Sequence, residues 1–207
     1  MDLSLAQSDA LVELINIGYG RAAGALSELT GYRIALEVPR VSMHELGELA
    51  PKLEDVIAGE VATVNQMFSG PISGNAMLVL DAPSALVLTE LLTDVRSASG
   101  TLDVSAREII TEVGNILLNA CLGVFGNLLQ VHVSFAVPRL RVESIQHILE
   151  SVELDAGERL RYGLMVHTRF RLRDSNVSGY FVIILGLTSL ERMLDEIEAW
   201  ERRQTGS

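Results

Sequence analysis

The sequence predicts an α+β protein in which two similar halves share one antiparallel sheet and each half contributes a long helix. Segments with apolar residues at helical spacing alternate with short β-rich segments that are separated by turn residues. The order of these segments is the same in both halves of the 207-residue chain, and several residues recur about 99 positions apart. We therefore expect a pseudo-two-fold tandem duplication, one domain made of repeats at approximately 1–98 and 99–207.

The first half begins with a predicted amphipathic helix at residues 6–29. Its apolar side is formed by Leu11, Ile15, Ala22 and Leu26. A Ser-Gly-Pro turn at 69–71 separates two β-rich runs, as in paired antiparallel strands, and Pro83 suits the first turn of a helix. The further elements expected in this half are a short strand through Pro39, a helical turn at 43–49, strands at 58–68 and 72–80, and a helix at 83–93.

The second half repeats this order after the segment RSASGT at 96–101, which is the expected linker. Two such halves should join edge to edge in one sheet, because each half alone leaves an exposed strand edge. The elements expected here are a helix at 105–129, a strand ending at Pro138, a short helix at 142–149, strands at 159–173 and 177–185, and a helix at 189–203.

Specific residues recur between the halves as well as whole elements. The spacing is 99 for the first two groups and 105 for a later one, so an insertion in a loop of the second half is expected. The recurring groups are Glu13 and Asn16 with Glu112 and Asn115, Val38-Pro39-Arg40 with Val137-Pro138-Arg139, and Ile72-Ser73-Gly74 with Val177-Ser178-Gly179.

Composition excludes several classes of function. With 27 acidic and 16 basic residues the net charge is −11, which disfavours nucleic acid and favours a basic protein face as partner. Cys121 is the single cysteine and lies in an apolar run, where a buried, inert thiol is expected. The four histidines are scattered, so no metal site is predicted. No signal peptide or membrane span is recognised, and a cytoplasmic protein is expected.

The two long helices carry the candidate site residues. At about 100° per residue, Asp9, Glu13 and Asn16 fall within roughly 60° of each other, opposite the apolar stripe. Glu108, Glu112, Asn115 and Asn119 share one face of the second helix in the same way. For either helix alone, an ordinary solvated face explains this pattern. A solvated face would tolerate Lys, Gln, Ser or Arg equally well, however, so the same two residue types in both halves favour a shared function.

This pattern resembles the CheC-type phosphatases of chemotaxis, with their relatives CheX and FliY. The motif of that family is Asp or Ser, three residues, Glu, two residues, Asn, twenty-two residues and Pro. Asp9, Glu13, Asn16 and Pro39 match it fully. In the second copy Glu112, Asn115 and Pro138 match, whereas Glu108 stands where the family prefers Asp or Ser. The resemblance extends over almost the whole chain and implies a CheC-like fold with two sites.

The resemblance implies a phosphatase that hydrolyses the aspartyl phosphate of a phosphorylated CheY-like response regulator. The regulator itself would hold a Mg²⁺ ion, and this chain would bind no cofactor. Asn16 and Asn115 would orient the attacking water, while Glu13 and Glu112 would pair with a regulator lysine. Asp9, Glu108, Pro39 and Pro138 would support these residues. The alternative is a non-catalytic scaffold of the same fold that binds the deamidase CheD or the flagellar switch.

Overall fold

The computed structural model describes residues 3–37, 40–57, 59–95, 100–128, 130, 132–156, 160–172 and 174–205. The described residues of the first half form three helices and four strands. In chain order these are α1 Leu5–Thr30, β1 Ile34–Leu36, β2 Arg40–Glu45, α2 Leu46–Glu54, β3 Glu60–Ser69, β4 Gly74–Asp81 and α3 Ala82–Thr93.

The second half contains the same kinds of element in the same order. They are α4 Val104–Leu128, β5 Ser134–Phe135, β6 Arg139–Ser144, α5 Ile145–Ala156, β7 Tyr162–Leu172, β8 Ser175–Leu185 and α6 Leu187–Thr205. Every strand pair is antiparallel. The predicted α+β class with an antiparallel sheet and two long helices is therefore confirmed. The division into repeats at about residue 98 stays a prediction.

The eight strands found in the described part of the chain form one sheet in the order β1-β7-β8-β4-β3-β5, with β2 also paired to β7 and β6 also paired to β3. At its centre β4 of the first half pairs with β8 of the second, so the halves do meet edge to edge. The outer strands are exchanged, because β1 and β2 pair with β7 while β5 and β6 pair with β3. Each half therefore supplies the edge strands of the other half.

The two faces of the sheet carry different helices. Buried residues of α1, α3, α4 and α6 pack on one face, and those of α2 and α5 pack on the other. Side chains alternate between the faces along each strand, as Val61 and Ala62 of β3 show by contributing to opposite cores. The helices with the candidate site residues, α1 and α4, thus lie side by side on one face.

Helix α1 begins and ends with recognisable capping signals. The Ser4 hydroxyl accepts from the Gln7 backbone N–H, and the Gln7 side chain accepts from the Ser4 N–H, which is a capping box. The helix ends at Gly31, whose φ of 73° suits a residue without a side chain. All four residues of the predicted apolar stripe are buried.

Helix α4 packs against α1, α3 and the sheet. Its stretch Val104–Asn127 is long and apolar enough to cross a membrane by length and composition, whereas no membrane span is expected from the sequence. However, 56% of its most apolar window is buried within the protein. An added Cβ at Gly114 would lie 2.5 Å from side-chain atoms of Val64, so the absent side chain lets α4 lie directly on β3.

Two predicted helices begin three residues later than expected, and for the same reason. Residues 43–49 and 142–149 were expected to be helical, but β2 runs to Glu45 and β6 to Ser144 before α2 and α5 begin. Pairing with β7 and β3 supplies the backbone partners that make these segments strands. Of the strand expected through Pro39, β1 covers only three residues, and residues 38 and 39 lie outside the described residues, as do 96–99 of the linker.

Candidate functional site

The first candidate site lies on the outward face of α1. Asp9 and Glu13 are exposed, and Asn16 is half-buried, so all three can be reached from solvent. Their spacing of four and three residues places them on successive turns of one face. Among the described residues, no side chain is recorded as a hydrogen-bond partner of Asn16. The Asn16 amide is thus free to bind a group from outside.

The second candidate site lies on α4 and has the same layout. Glu108 and Glu112 are exposed, and Asn115 is half-buried. Asn115 Nδ2 lies 3.5 Å from Glu112 Oε2, a long and weak hydrogen bond. The carboxylate can therefore exchange this contact for a cation on a partner without a large loss.

A chain of amides continues from Asn115 into the protein. Asn119 Nδ2 donates to Asn115 Oδ1 at 2.6 Å, and Gln66 Nε2 donates to Asn119 Oδ1 at 3.2 Å. Gln66 Nε2 also donates to the Ala136 carbonyl at 2.9 Å. Asn119 was recognised from the sequence as a member of the polar face, but Gln66 was missed. The signal for Gln66 was a polar residue on the buried side of β3, between Val64 and Phe68.

Exposed apolar residues lie at the start of both helices. Leu5 of α1 is 85% exposed and Val104 of α4 is 73% exposed, eight residues before Glu13 and Glu112 respectively. Beside the second site there is a shallow depression of about 380 Å³. It is lined by Val104, Arg107, Glu108, Thr111, Glu112 and Leu140.

Only one of the two motif prolines can be placed. Pro138 lies between β5 and β6, next to the exposed Val137 and two residues after Ala136. The Ala136 backbone N–H donates to the Met67 carbonyl at 2.9 Å, so this segment is fixed to β3 beside Gln66. Pro39 lies outside the described residues.

Two buried side chains with a thiol or hydroxyl group, Cys121 and Tyr19, lie outside both sites. Cys121 is completely buried, and burial raises the pKa of its thiol far above the usual range, as expected for an inert thiol. Tyr19 is also buried, and its hydroxyl is hydrogen-bonded to that of Thr168. Among the described residues, no three His, Cys, Asp or Glu side chains are grouped in a way that could hold a metal ion. The motif residues of both surfaces supply carboxylates and amides, and Arg107 and Thr111 add a guanidinium and a hydroxyl beside the second site.

Comparison with known proteins gives the fold. No protein-family model matches the sequence. A crystal structure of FliY from Thermotoga maritima superposes with a TM-score of 0.78 at 19% identity, covering 97% of this chain and 100% of that chain. The chain has the CheC/CheX/FliY fold. The resemblance that the motif indicated is therefore confirmed at the level of the fold.

Two further structures of this CheC/CheX/FliY fold differ in degree of similarity. The FliM middle domain from H. pylori has a TM-score of 0.65 at 13% identity, covering 94% of this chain and 99% of that chain. The chemotaxis protein CheX from Vibrio vulnificus has a TM-score of 0.51 at 16% identity, covering 84% of this chain and 98% of that chain. The fold is thus shared with a chemotaxis protein, and the roles of the site residues stay predictions.

Proposed function

We propose that this chain is a phosphatase that hydrolyses the aspartyl phosphate of a phosphorylated CheY-like response regulator in chemotaxis signalling. The observation that supports it is the geometry of α1 and α4. Each helix presents an exposed carboxylate and, one turn further on, a half-buried amide. These pairs, Glu13 with Asn16 and Glu112 with Asn115, form two separate sites on a fold that includes a chemotaxis protein.

The proposed reaction requires little covalent chemistry from this chain. A water molecule attacks phosphorus as the bond between phosphorus and the aspartyl oxygen breaks, which leaves inorganic phosphate and a free aspartate on the regulator. Catalysis of such a transfer rests mainly on positioning and charge stabilisation. A Mg²⁺ ion held by the regulator would neutralise the phosphoryl oxygens, so this chain need supply only the geometry of the water.

An amide suits this role because it is neutral and carries both a donor and an acceptor. Asn16 or Asn115 can accept a hydrogen bond from the water through Oδ1 or donate one through Nδ2. A carboxylate in the same place would add negative charge beside an anionic phosphoryl group. The amide therefore orients the water without opposing the approach of the regulator.

The carboxylates fix the position of the regulator. Glu13 and Glu112 are exposed and have the length to pair with a lysine on the active face of the regulator. The long contact between Glu112 and Asn115 would be replaced by this ion pair. The net charge of −11 would also attract a basic face during encounter, with a strength that falls as salt is added.

The test is the lifetime of regulator phosphate with the native protein and with Asn16→Ala, Asn115→Ala and the double variant. Each single variant should keep the activity of its other site, and the double variant should lose at least about 100-fold. The matched control is Asn127→Ala, which removes an exposed amide of α4 outside the motif and should leave the rate unchanged. A double variant as active as the native protein would refute the assignment.

The second candidate function is a non-catalytic scaffold that binds CheD or a component of the flagellar switch. The similarity to the FliM middle domain, which extends over 94% of this chain, favours it. The same measurement separates the two functions. If the native protein binds the regulator but does not shorten the lifetime of its phosphate, the scaffold role is supported and the phosphatase role fails. In either role we expect a cytoplasmic protein.

A further inference from the structure

The second site differs from the first in how its amide is held. Asn115 belongs to a continuous hydrogen-bonded chain that begins at the Ala136 backbone carbonyl and ends at an exposed carboxylate. Such a chain can fix the rotation of every amide in it, because each donor must face an acceptor.

The direction of this chain follows from its two ends. The Ala136 carbonyl can only accept, so Gln66 must turn Nε2 towards it, and the second N–H of Nε2 then faces Asn119. Asn119 must accept with Oδ1 and therefore donates with Nδ2 to Asn115 Oδ1. The Glu112 carboxylate also only accepts, which agrees with Asn115 Nδ2 pointing towards it.

Packing alone does not account for a glutamine at position 66. It is 2% exposed, and its Oε1 atom is buried without a hydrogen-bond partner among the described residues. A buried, unsatisfied acceptor destabilises a protein, and an apolar residue would fill the same place on β3 without this cost. A role for the donor side of Gln66 gives a reason for keeping the amide.

The first site lacks this support. The residue one turn after Asn16 is Gly20, which has no side chain to hold the amide. The register of the strands identifies the counterpart of Gln66 in the first site. Val64 pairs with Leu140, and Val166 pairs with Val41, which lies 99 positions before Leu140. Val64 and Val166 are therefore equivalent, and the counterpart of Gln66 is found two residues after Val166. This counterpart is Thr168, and its hydroxyl is hydrogen-bonded to the buried Tyr19 rather than to a residue of the site. Among the described residues the Asn16 amide thus has no side-chain hydrogen-bond partner, whereas the Asn115 amide has two.

We propose that Asn119, held by Gln66, is a positioning residue that fixes the rotation of the Asn115 amide, so that the second site is preorganised and the first is not. This inference rests on the proposed phosphatase function. One lone pair of Asn115 Oδ1 is taken by Asn119, and the other remains for the attacking water. The amide then costs no reorientation when a regulator docks, which favours the chemical step rather than binding.

The test isolates the second site by working in the Asn16→Ala background. Asn119→Asp has the same shape but presents an acceptor to Asn115 Oδ1, so the Asn115 amide must turn over. Asn119→Ala removes the donor without adding charge. Both changes should lower kcat about 10- to 100-fold, the loss expected from a misplaced catalytic group, and should change KM less than twofold. Asn127→Asp adds the same charge at an exposed position of α4 that does not belong to the hydrogen-bonded chain of amides, and it should leave kcat and KM unchanged.

A second readout does not depend on catalysis. The side-chain amide signals of Asn115 in a ¹⁵N-labelled sample, assigned by their loss in Asn115→Ala, should shift in Asn119→Asp, in Asn119→Ala and also in Gln66→Leu. Unchanged signals in the Asn119 variants would overturn the inference, as would an unchanged kcat. If the Asn16→Ala parent shows no phosphatase activity, the proposed function fails at this site, and the amide signals alone then support or refute the fixed rotation.

Discussion

Gly18 lies where α1 packs directly against α4. An added Cβ at this position would be 2.9 Å from the Cα atom of Cys121 and 3.1 Å from its Sγ atom. Carbon atoms in contact are ordinarily about 3.5–4.0 Å apart, so Gly18→Ala would force the helices apart by at least about 0.6 Å. Because the obstacle is a backbone atom, no change of rotamer can relieve the contact. We therefore expect Gly18→Ala to destabilise the protein.

The magnitude follows from two opposed effects. Replacing glycine by alanine inside a helix stabilises it by about 1 kcal/mol, whereas overpacking a core costs about 1–3 kcal/mol. With a mid-range packing cost, Gly18→Ala should lower the free energy of unfolding by about 1 kcal/mol. Gly24 is the matched control, because it lies in the same helix with no atom within 4 Å of an added Cβ. Gly24→Ala should raise the free energy of unfolding by about 0.5–1 kcal/mol.

Urea denaturation at 25 °C measures both variants against the native protein. The two variants should differ by about 2 kcal/mol, which corresponds to about 4–8 °C in Tm for a chain of this size. If Gly18→Ala is as stable as Gly24→Ala, the two long helices do not pack as closely as described. The relative position of the two sites would then also need revision.

The remaining predictions concern docking and pH. Leu5→Asp, measured in the Asn115→Ala background, should raise KM about tenfold with little change in kcat, because docking would no longer bury an aliphatic side chain. A negative charge in the first turn of α1 favours the helix, so we expect Leu5→Asp to be no less stable than its parent. A loss of stability in this variant would contradict the prediction. Burial lowers the pKa of His167, and the nearby Arg169 and Arg40 guanidiniums lower it further. The folded state therefore favours the neutral imidazole, and this contribution to stability is present above the unfolded pKa of about 6.5 and is lost as the pH falls towards the folded pKa. Between pH 7.5 and 5.5 the urea midpoint of the native protein should fall more than that of His167→Gln, and equal falls would show that His167 does not carry this dependence.

Much of the helical structure could be predicted because it depends on local pattern. The apolar stripe of α1 and its counterpart in α4 require one buried side each, and the observed bounds differ from the predicted ones by one residue at each end. The turn at 69–71 similarly predicted the hairpin of β3 and β4. Strands β2 and β6 were missed, because their identity depends on distant partners rather than on their own periodicity.

Sequence recurrence was also an incomplete guide to register. Gly74 is the first residue of β4 and lies opposite Phe68, whereas Gly179 is the fifth residue of β8 and lies opposite Thr168. The two Ser-Gly pairs thus do not hold equivalent places in their hairpins. Nor is the extra length confined to a loop, since α5 has 12 residues where α2 has 9.

The exposed part of the candidate site could be predicted, and its support could not. Glu13, Asn16, Glu112 and Asn115 recur at fixed spacing on a helix, and a helical wheel is enough to group them. Gln66 reaches the second site from β3, and no rule of spacing connects it to α4. Only the tertiary structure shows that this buried polar residue and the site belong together.

The exchange of outer strands has a consequence for biosynthesis. Ile34 of β1 pairs with Leu172 of β7, so β1 can pair only after most of the polypeptide has left the ribosome. Unpaired strands in a nascent chain are prone to aggregate, and contacts between distant residues slow folding. The sheet can be completed only late in translation. A message truncated before β7 would yield a product in which β1 and β2 lack the strand with which they pair.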